Sequence, residues 1–231
     1  MMTQSYDDDG IERTVSVPAA GVVLEGTLGV PNGAHAIILF AHGSGSSRFS
    51  GRNRFVARVL RERLLGTLLL DLLSPEEEQL DEITRQHRFD IAMLADRLVA
   101  ATDWLAKQPD TRALPVGLFG ASTGGGAALV AAAERPDRIG AVVSRGGRPD
   151  LADQALPLVT APTLLLVGER DEVVIQLNQR AKTRMRAETR LEIVPGATHL
   201  FEERGALERV ASMAGDWFEN HLAPRAVSVS H

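Results

Sequence analysis

At 231 residues, with 44% hydrophobic and 24% charged side chains, the chain is long enough to bury a full core and still keep a solvated surface. Its formal net charge of −5, with arginines interleaved among acids as in Arg61-Glu62-Arg63, gives no electrostatic reason to expect nucleic acid or an anionic membrane as a partner. Zero cysteines exclude disulfides and thiolate metal sites, and no run approaches the ~20 apolar residues of a membrane span.

The first ten residues are polar and acidic, without the basic and apolar regions of a signal peptide, so a cytoplasmic protein is expected. A hairpin pattern follows, Glu12 to Ala19 and Gly21 to Val30, closed by the turn residues Pro31, Asn32 and Gly33. Strands and helices then alternate. His35 to Ala41 reads as an apolar strand, His42 to Ser47 as a loop of small residues, Arg52 to Leu64 as an amphipathic helix and Gly66 to Leu72 as a strand. Ser74 with Glu77 fits a capping box, with Pro75 in the favoured first turn, so Ser74 to Glu82 is expected to be a helix whose acids suit its dipole better than a metal ion. Phe89 to Gln108 has helical periodicity. Pro115 to Phe119, Ile139 to Ser144, Pro162 to Val167 and Arg190 to Val194 read as strands, and Thr123 to Glu134, Val173 to Met185 and Ala206 to His221 as helices. This alternation predicts one α/β domain over residues 12–222, a mostly parallel sheet with helices on both faces. Residues 1–11 and 223–231 are expected to be flexible termini. The connection after Gly147 is too short for a cap domain.

The chemistry concentrates at one point. An apolar strand runs through Gly120-Ala-Ser122-Thr-Gly124 straight into an alanine-rich helix, the context in which a tight turn lifts a serine hydroxyl clear of the backbone. Gly120 and Gly124 flank Ser122 where side chains would meet the neighbouring strand and helix. Asp171 lies just beyond the apolar run ending at Gly168; Glu169 and Glu172 are rival acids, but the Gly-x-x-Asp spacing favours Asp171, whose plain alternative is an ordinary acid at the start of the helix that follows. His199 follows the last strand; His35, His42, His87, His221 and His231 fall elsewhere in the pattern. Parallel strands point their carboxyl ends the same way, so Ser122, Asp171 and His199 are expected to converge on one edge, where open α/β sheets bind ligands.

Four pieces together, Ala41-His-Gly-Ser44, Gly120-Ala-Ser122-Thr-Gly124, Gly168-Glu-Arg-Asp171 and Gly196-Ala-Thr-His199, resemble the α/β-hydrolase superfamily, and within it the small lidless dienelactone hydrolase-like branch. One departure is that dienelactone hydrolases proper use a cysteine nucleophile, where this chain has Ser122. The resemblance implies an α/β-hydrolase fold and a serine hydrolase acting on a small ester, lactone or thioester; with no cysteine and no H-E-x-x-H in the chain, neither cofactor nor metal is expected. In that scheme Ser122 attacks, His199 is the base and Asp171 orients it, while the backbone N–H groups of Thr123 and Ser44 form the oxyanion hole. Arg145 and Arg148, near the catalytic edge, are candidates for a substrate carboxylate or phosphate, or for pairing with Asp150, Asp153 or Glu76 to Glu78. The partner implied is a small acyl substrate, with no nucleic acid or membrane. A non-catalytic ligand binder of the same fold and an acyltransferase or perhydrolase are the competing readings.

Overall fold

The computed structural model describes residues 12–19 and 21–222, so the expectation of flexible ends at 1–11 and 223–231 lies outside the described residues. In chain order the elements are β1 (Glu12–Ala19), β2 (Val22–Gly29), β3 (Ala36–Ala41), α1 (Gly51–Glu62), β4 (Leu65–Leu70), α2 (Pro75–Thr84), α3 (Ile91–Leu105), β5 (Val116–Ala121) and α4 (Thr123–Glu134). They continue with β6 (Ile139–Arg145), β7 (Thr163–Gly168), α5 (Glu172–Arg184), β8 (Thr189–Val194) and α6 (Ala206–Leu222). The strands form one eight-stranded sheet in the order β1-β2-β4-β3-β5-β6-β7-β8, antiparallel at β1-β2 and β2-β4 and parallel from β4 onward.

The composition of each strand follows from its position. β3, β4, β5 and β7 are buried along their whole length, because helices cover both faces, and they are accordingly continuous runs of apolar and small residues. β1 lies at an edge, and toward its end buried Val15, Val17 and Ala19 alternate with exposed residues. Alternate residues of the central strands feed two cores. Leu39 and Leu118 pack with Leu98 of α3 and Leu129 of α4, whereas Phe40 and Phe119, ring centroids 4.8 Å apart, pack with Leu60 of α1 and Phe218 of α6. Each such side chain contributes about 1.5–3 kcal/mol when fully buried.

Sheet growth reverses between β3 and β5: the chain moves outward from β3 to β4, then returns to place β5 on the other flank of β3. The loops leaving the carboxyl ends of β3 and β5 therefore splay apart at a crevice, the position where α/β sheets accept ligands. One segment has an order that the sequence reading did not assign. Between β6 and β7 the short connection forms a 3-10 stretch, Pro149–Leu158, broken at Asp153 with φ 28°. Pro149 sets its start and Pro157 denies it a regular α-helical ladder. Buried Asn178 of α5 donates to the Gly147 carbonyl at 3.0 Å and pins this segment down, with no domain inserted above the sheet.

Candidate active site

Ser122 occupies the turn between β5 and α4 at φ 51° and ψ −122°, a left-handed conformation costly for any residue with a Cβ. Its backbone is held on three sides. The N–H donates to the Arg145 carbonyl at 3.3 Å, and the carbonyl accepts from Gly125 and Arg148, each at 3.0 Å. The flanking glycines are steric necessities: a Cβ on Gly120 would stand 2.6 Å from the Gly124 carbonyl oxygen, and one on Gly124 only 2.3 Å from that of Ala41. The Ser122 hydroxyl makes no hydrogen bond among the described residues, which leaves it free for a base and a substrate.

Asp171 follows β7 and begins α5 without capping it; instead its Oδ2 lies 2.5 Å from Nδ1 of His199. The rival acids are placed elsewhere. Glu169 accepts the Gly196 N–H at 2.7 Å, and Glu172 is exposed in the first turn of α5. With Nδ1–H donated to the carboxylate, the imidazole keeps its lone pair on Nε2. The loop bearing His199 also passes over Gly146, where a Cβ would lie 3.5 Å from His199 Cε1. Because β5 and β6 pair Ala121 with Arg145, this places the imidazole over the strand end beside Ser122. No hydrogen bond joins the two side chains; contacts between a nucleophile and its base commonly tighten when substrate binds.

Thr123 is the first residue of α4, so helix geometry gives its N–H no intrahelical partner. The Ser44 N–H is already engaged: it donates to Thr123 Oγ1 at 3.0 Å. The two hydroxyls are also 3.0 Å apart, and Ser44 Oγ donates to the Arg88 carbonyl at 3.3 Å. Proton counting then has the Thr123 hydroxyl accepting from Ser44 N–H and donating to Ser44 Oγ. The sequence reading placed both residues here through their backbones and did not foresee the side-chain link. His42 is structural. Nε2 accepts the Leu72 N–H at 2.9 Å, so Nδ1 carries the proton and donates to the Gly43 carbonyl at 2.9 Å. Burial pushes the pKa of this imidazole down, keeping it neutral as a bolt between the β3 loop and the end of β4. A cleft of about 110 Å³ opens beside this loop, lined by Ser44, Thr123, Leu72, Arg88 and, from α2, Glu78 and Glu82. The capped helix expected at Ser74 is present, its Ser74–Glu77 box complete, and forms the rim. Among the described residues no cluster of His, Asp and Glu is placed to hold a metal ion.

The two candidate anion-binding arginines part company. Arg148 takes the second of its two expected roles and pairs with Asp150, its Nε and Nη2 at 2.8 and 2.7 Å from the carboxylate oxygens. Arg145 is 8% exposed, and among the described residues its guanidinium hydrogen-bonds nothing.

A model of the dienelactone hydrolase family matches residues 73–222. The crystal structure of dienelactone hydrolase from Anabaena variabilis superposes with a TM-score of 0.90 at 61% identity, covering 91% of this chain and 98% of that one. Est1E from Butyrivibrio proteoclasticus superposes with a TM-score of 0.75 at 17% identity, covering 90% and 98%, a likeness of fold. A Mycobacterium tuberculosis protein carrying the provisional name phosphoribosyl transferase is 58% identical over 211 residues, 91% of this chain and 47% of its own length. The chain thus spans about half the length of the curated relatives it matches.

Proposed function

The chain belongs to the dienelactone hydrolase family, and from that premise we propose that it is a serine hydrolase of small carboxylic esters, lactones or thioesters. The observation that carries the reading is the 2.5 Å contact between Asp171 and His199 on the sheet edge where the strained Ser122 turn presents its hydroxyl. Ser122 adds to the acyl carbonyl, His199 takes its proton through Nε2 and returns it to the leaving oxygen or sulfur, and Asp171 stabilises the imidazolium. Water then repeats the sequence on the acyl-enzyme. The N–H groups of Thr123 and Ser44 receive the oxyanion, the latter by exchanging its bond to the Thr123 hydroxyl; losing one such donor typically costs about 2.7–4 kcal/mol of barrier. The absence of an inserted cap favours short substrates over long lipids.

Turnover of p-nitrophenyl acetate and labelling by a fluorophosphonate probe test this reading. Both are expected in the native chain and neither in Ser122→Ala, with the fold retained. A native chain inert to the probe would be the non-catalytic binder instead, and acyl products formed with added alcohols in preference to water would make it a transferase.

A further inference from the structure

One cation beside the proposed nucleophile has no counter-charge among the described residues. Arg145 ends β6, and its own carbonyl takes the Ser122 N–H, yet its guanidinium is nine-tenths buried with Nη1 sealed from solvent and unpartnered among the described residues. The Phe201 ring lies 6.0 Å away at the centroid, and the next residue, Glu202, is bonded by a second cation, Arg52, which brings the two arginines to the same loop. Burial, and then the field of Arg52, bring the Arg145 pKa down to about 10, so the group remains charged at neutral pH. Arg52 also has a sealed, unpartnered Nε; its Nη1 extends 3.1 Å to Glu202, an exposed carboxylate at the rim. Moreover Arg52 stands in the first turn of α1, where Ser50 Oγ accepts the Asn53 N–H at 3.4 Å and no acidic residue is present, so the dipole there favours an anion. Two guanidiniums repel one another unless an anion comes between them.

We propose that Arg145, Arg52 and the first turn of α1 form a phosphate subsite, holding a phosphomonoester group on the substrate whose ester bond faces Ser122. This rests on the hydrolase reading above. A single guanidinium fork satisfies a planar carboxylate, whereas here the donors come from two side chains on different elements and from a helix N-terminus, an arrangement suited to a tetrahedral dianion. The loop after β3 carries Ser44 and runs directly into the first turn of α1, which carries Arg52, so one stretch of chain addresses both the carbonyl and the phosphate. Glu202, exposed and held by a single contact, yields Arg52 to the incoming group.

The test compares kcat/KM for 1-acetylglycerol 3-phosphate, 1-acetylglycerol and a glycerol ester of succinic acid, alongside thermal melting with and without inorganic phosphate. The expected result is a preference of at least 30-fold for the phosphorylated ester, collapsing to under threefold in Arg145→Met and reduced in Arg52→Gln. Phosphate should raise the melting temperature of the native chain and not of Arg145→Met. The unliganded Arg145→Met protein should itself melt higher, since an unpaired buried charge has been removed. A lower melting point would mark Arg145 as structural and overturn the proposal, as would a preference for the succinate ester or for neither anion. If no ester at all is turned over, the hydrolase reading has failed, while the phosphate-dependent melting still reports on the subsite.

Discussion

Ser122 holds a backbone conformation that glycine adopts freely, and three backbone hydrogen bonds keep it there. Strain of this kind costs on the order of 1–3 kcal/mol. Ser122→Gly is therefore expected to abolish turnover yet stabilise the fold by about 1 kcal/mol in urea unfolding; an unchanged or lower midpoint would show that the turn is relaxed. At this scale much was legible in the sequence, because steric necessity leaves few options: Gly120 and Gly124 mark the turn, chain order points to His199 and to the acids after β7, and the spacing from Gly168 favours Asp171 among them. Side-chain choices among near neighbours were not legible. Arg148 has several acids within reach, and only the fold decides for Asp150. The Thr123 hydroxyl meets Ser44 across 79 positions, a contact no local pattern encodes.

Helix α2 shows how a legible element can conceal its purpose. The capping box is written in Ser74, Pro75 and Glu77, but the far end depends on Asp81, 2% exposed, whose carboxylate accepts the N–H groups of His87 and Arg88 and pairs with the Arg88 guanidinium at 2.5 Å. Burial alone would raise the Asp81 pKa, but the Arg88 side chain and these backbone donors outweigh it and hold the carboxyl below its ordinary value. A folded-state pKa below the unfolded one stabilises the chain above the ordinary carboxylate range, a contribution lost as pH falls through the folded value. Asp81→Asn is expected to cost on the order of 2 kcal/mol at neutral pH, read by urea unfolding, and to lose that deficit against the native chain in acid. Because the Arg88 carbonyl also receives Ser44 Oγ, the same variant should lower kcat. An unaffected kcat would mean that the rim does not position the β3 loop. The 3-10 stretch at Pro149–Leu158 escaped the sequence reading because its two prolines resemble loop punctuation, and its order comes from Asn178 on a distant helix.

Across the whole molecule, alternation of strands and helices announced the fold class, but not which strands adjoin. The order β4-β3-β5 is a tertiary outcome, set by which apolar faces bury one another, and it creates the crevice. The sheet divides the interior into two cores, each with a tryptophan: Trp104 packs against the core under α3 and α4, and Trp217 lies in the core under α1 and α6. We propose that residues 12–222 fold as one unit, since the central strands belong to both cores. Trp104→Phe and Trp217→Phe each leave one reporter on one side. Each variant's remaining fluorescence is expected to share its urea midpoint with far-UV circular dichroism; a lag between probes would divide the molecule into separately melting halves.

The hydroxyl of Thr123 that occupies the Ser44 N–H has an energetic corollary under the proposed mechanism. An incoming ester carbonyl is neutral and merely exchanges one ordinary hydrogen bond for another, so docking gains little from that donor. Once the carbonyl oxygen becomes anionic, the same exchange is charge-assisted and roughly twice as strong. Selectivity for the activated species is thus built into the resting chain: loose capture of the ester, firm grip on its tetrahedral successor.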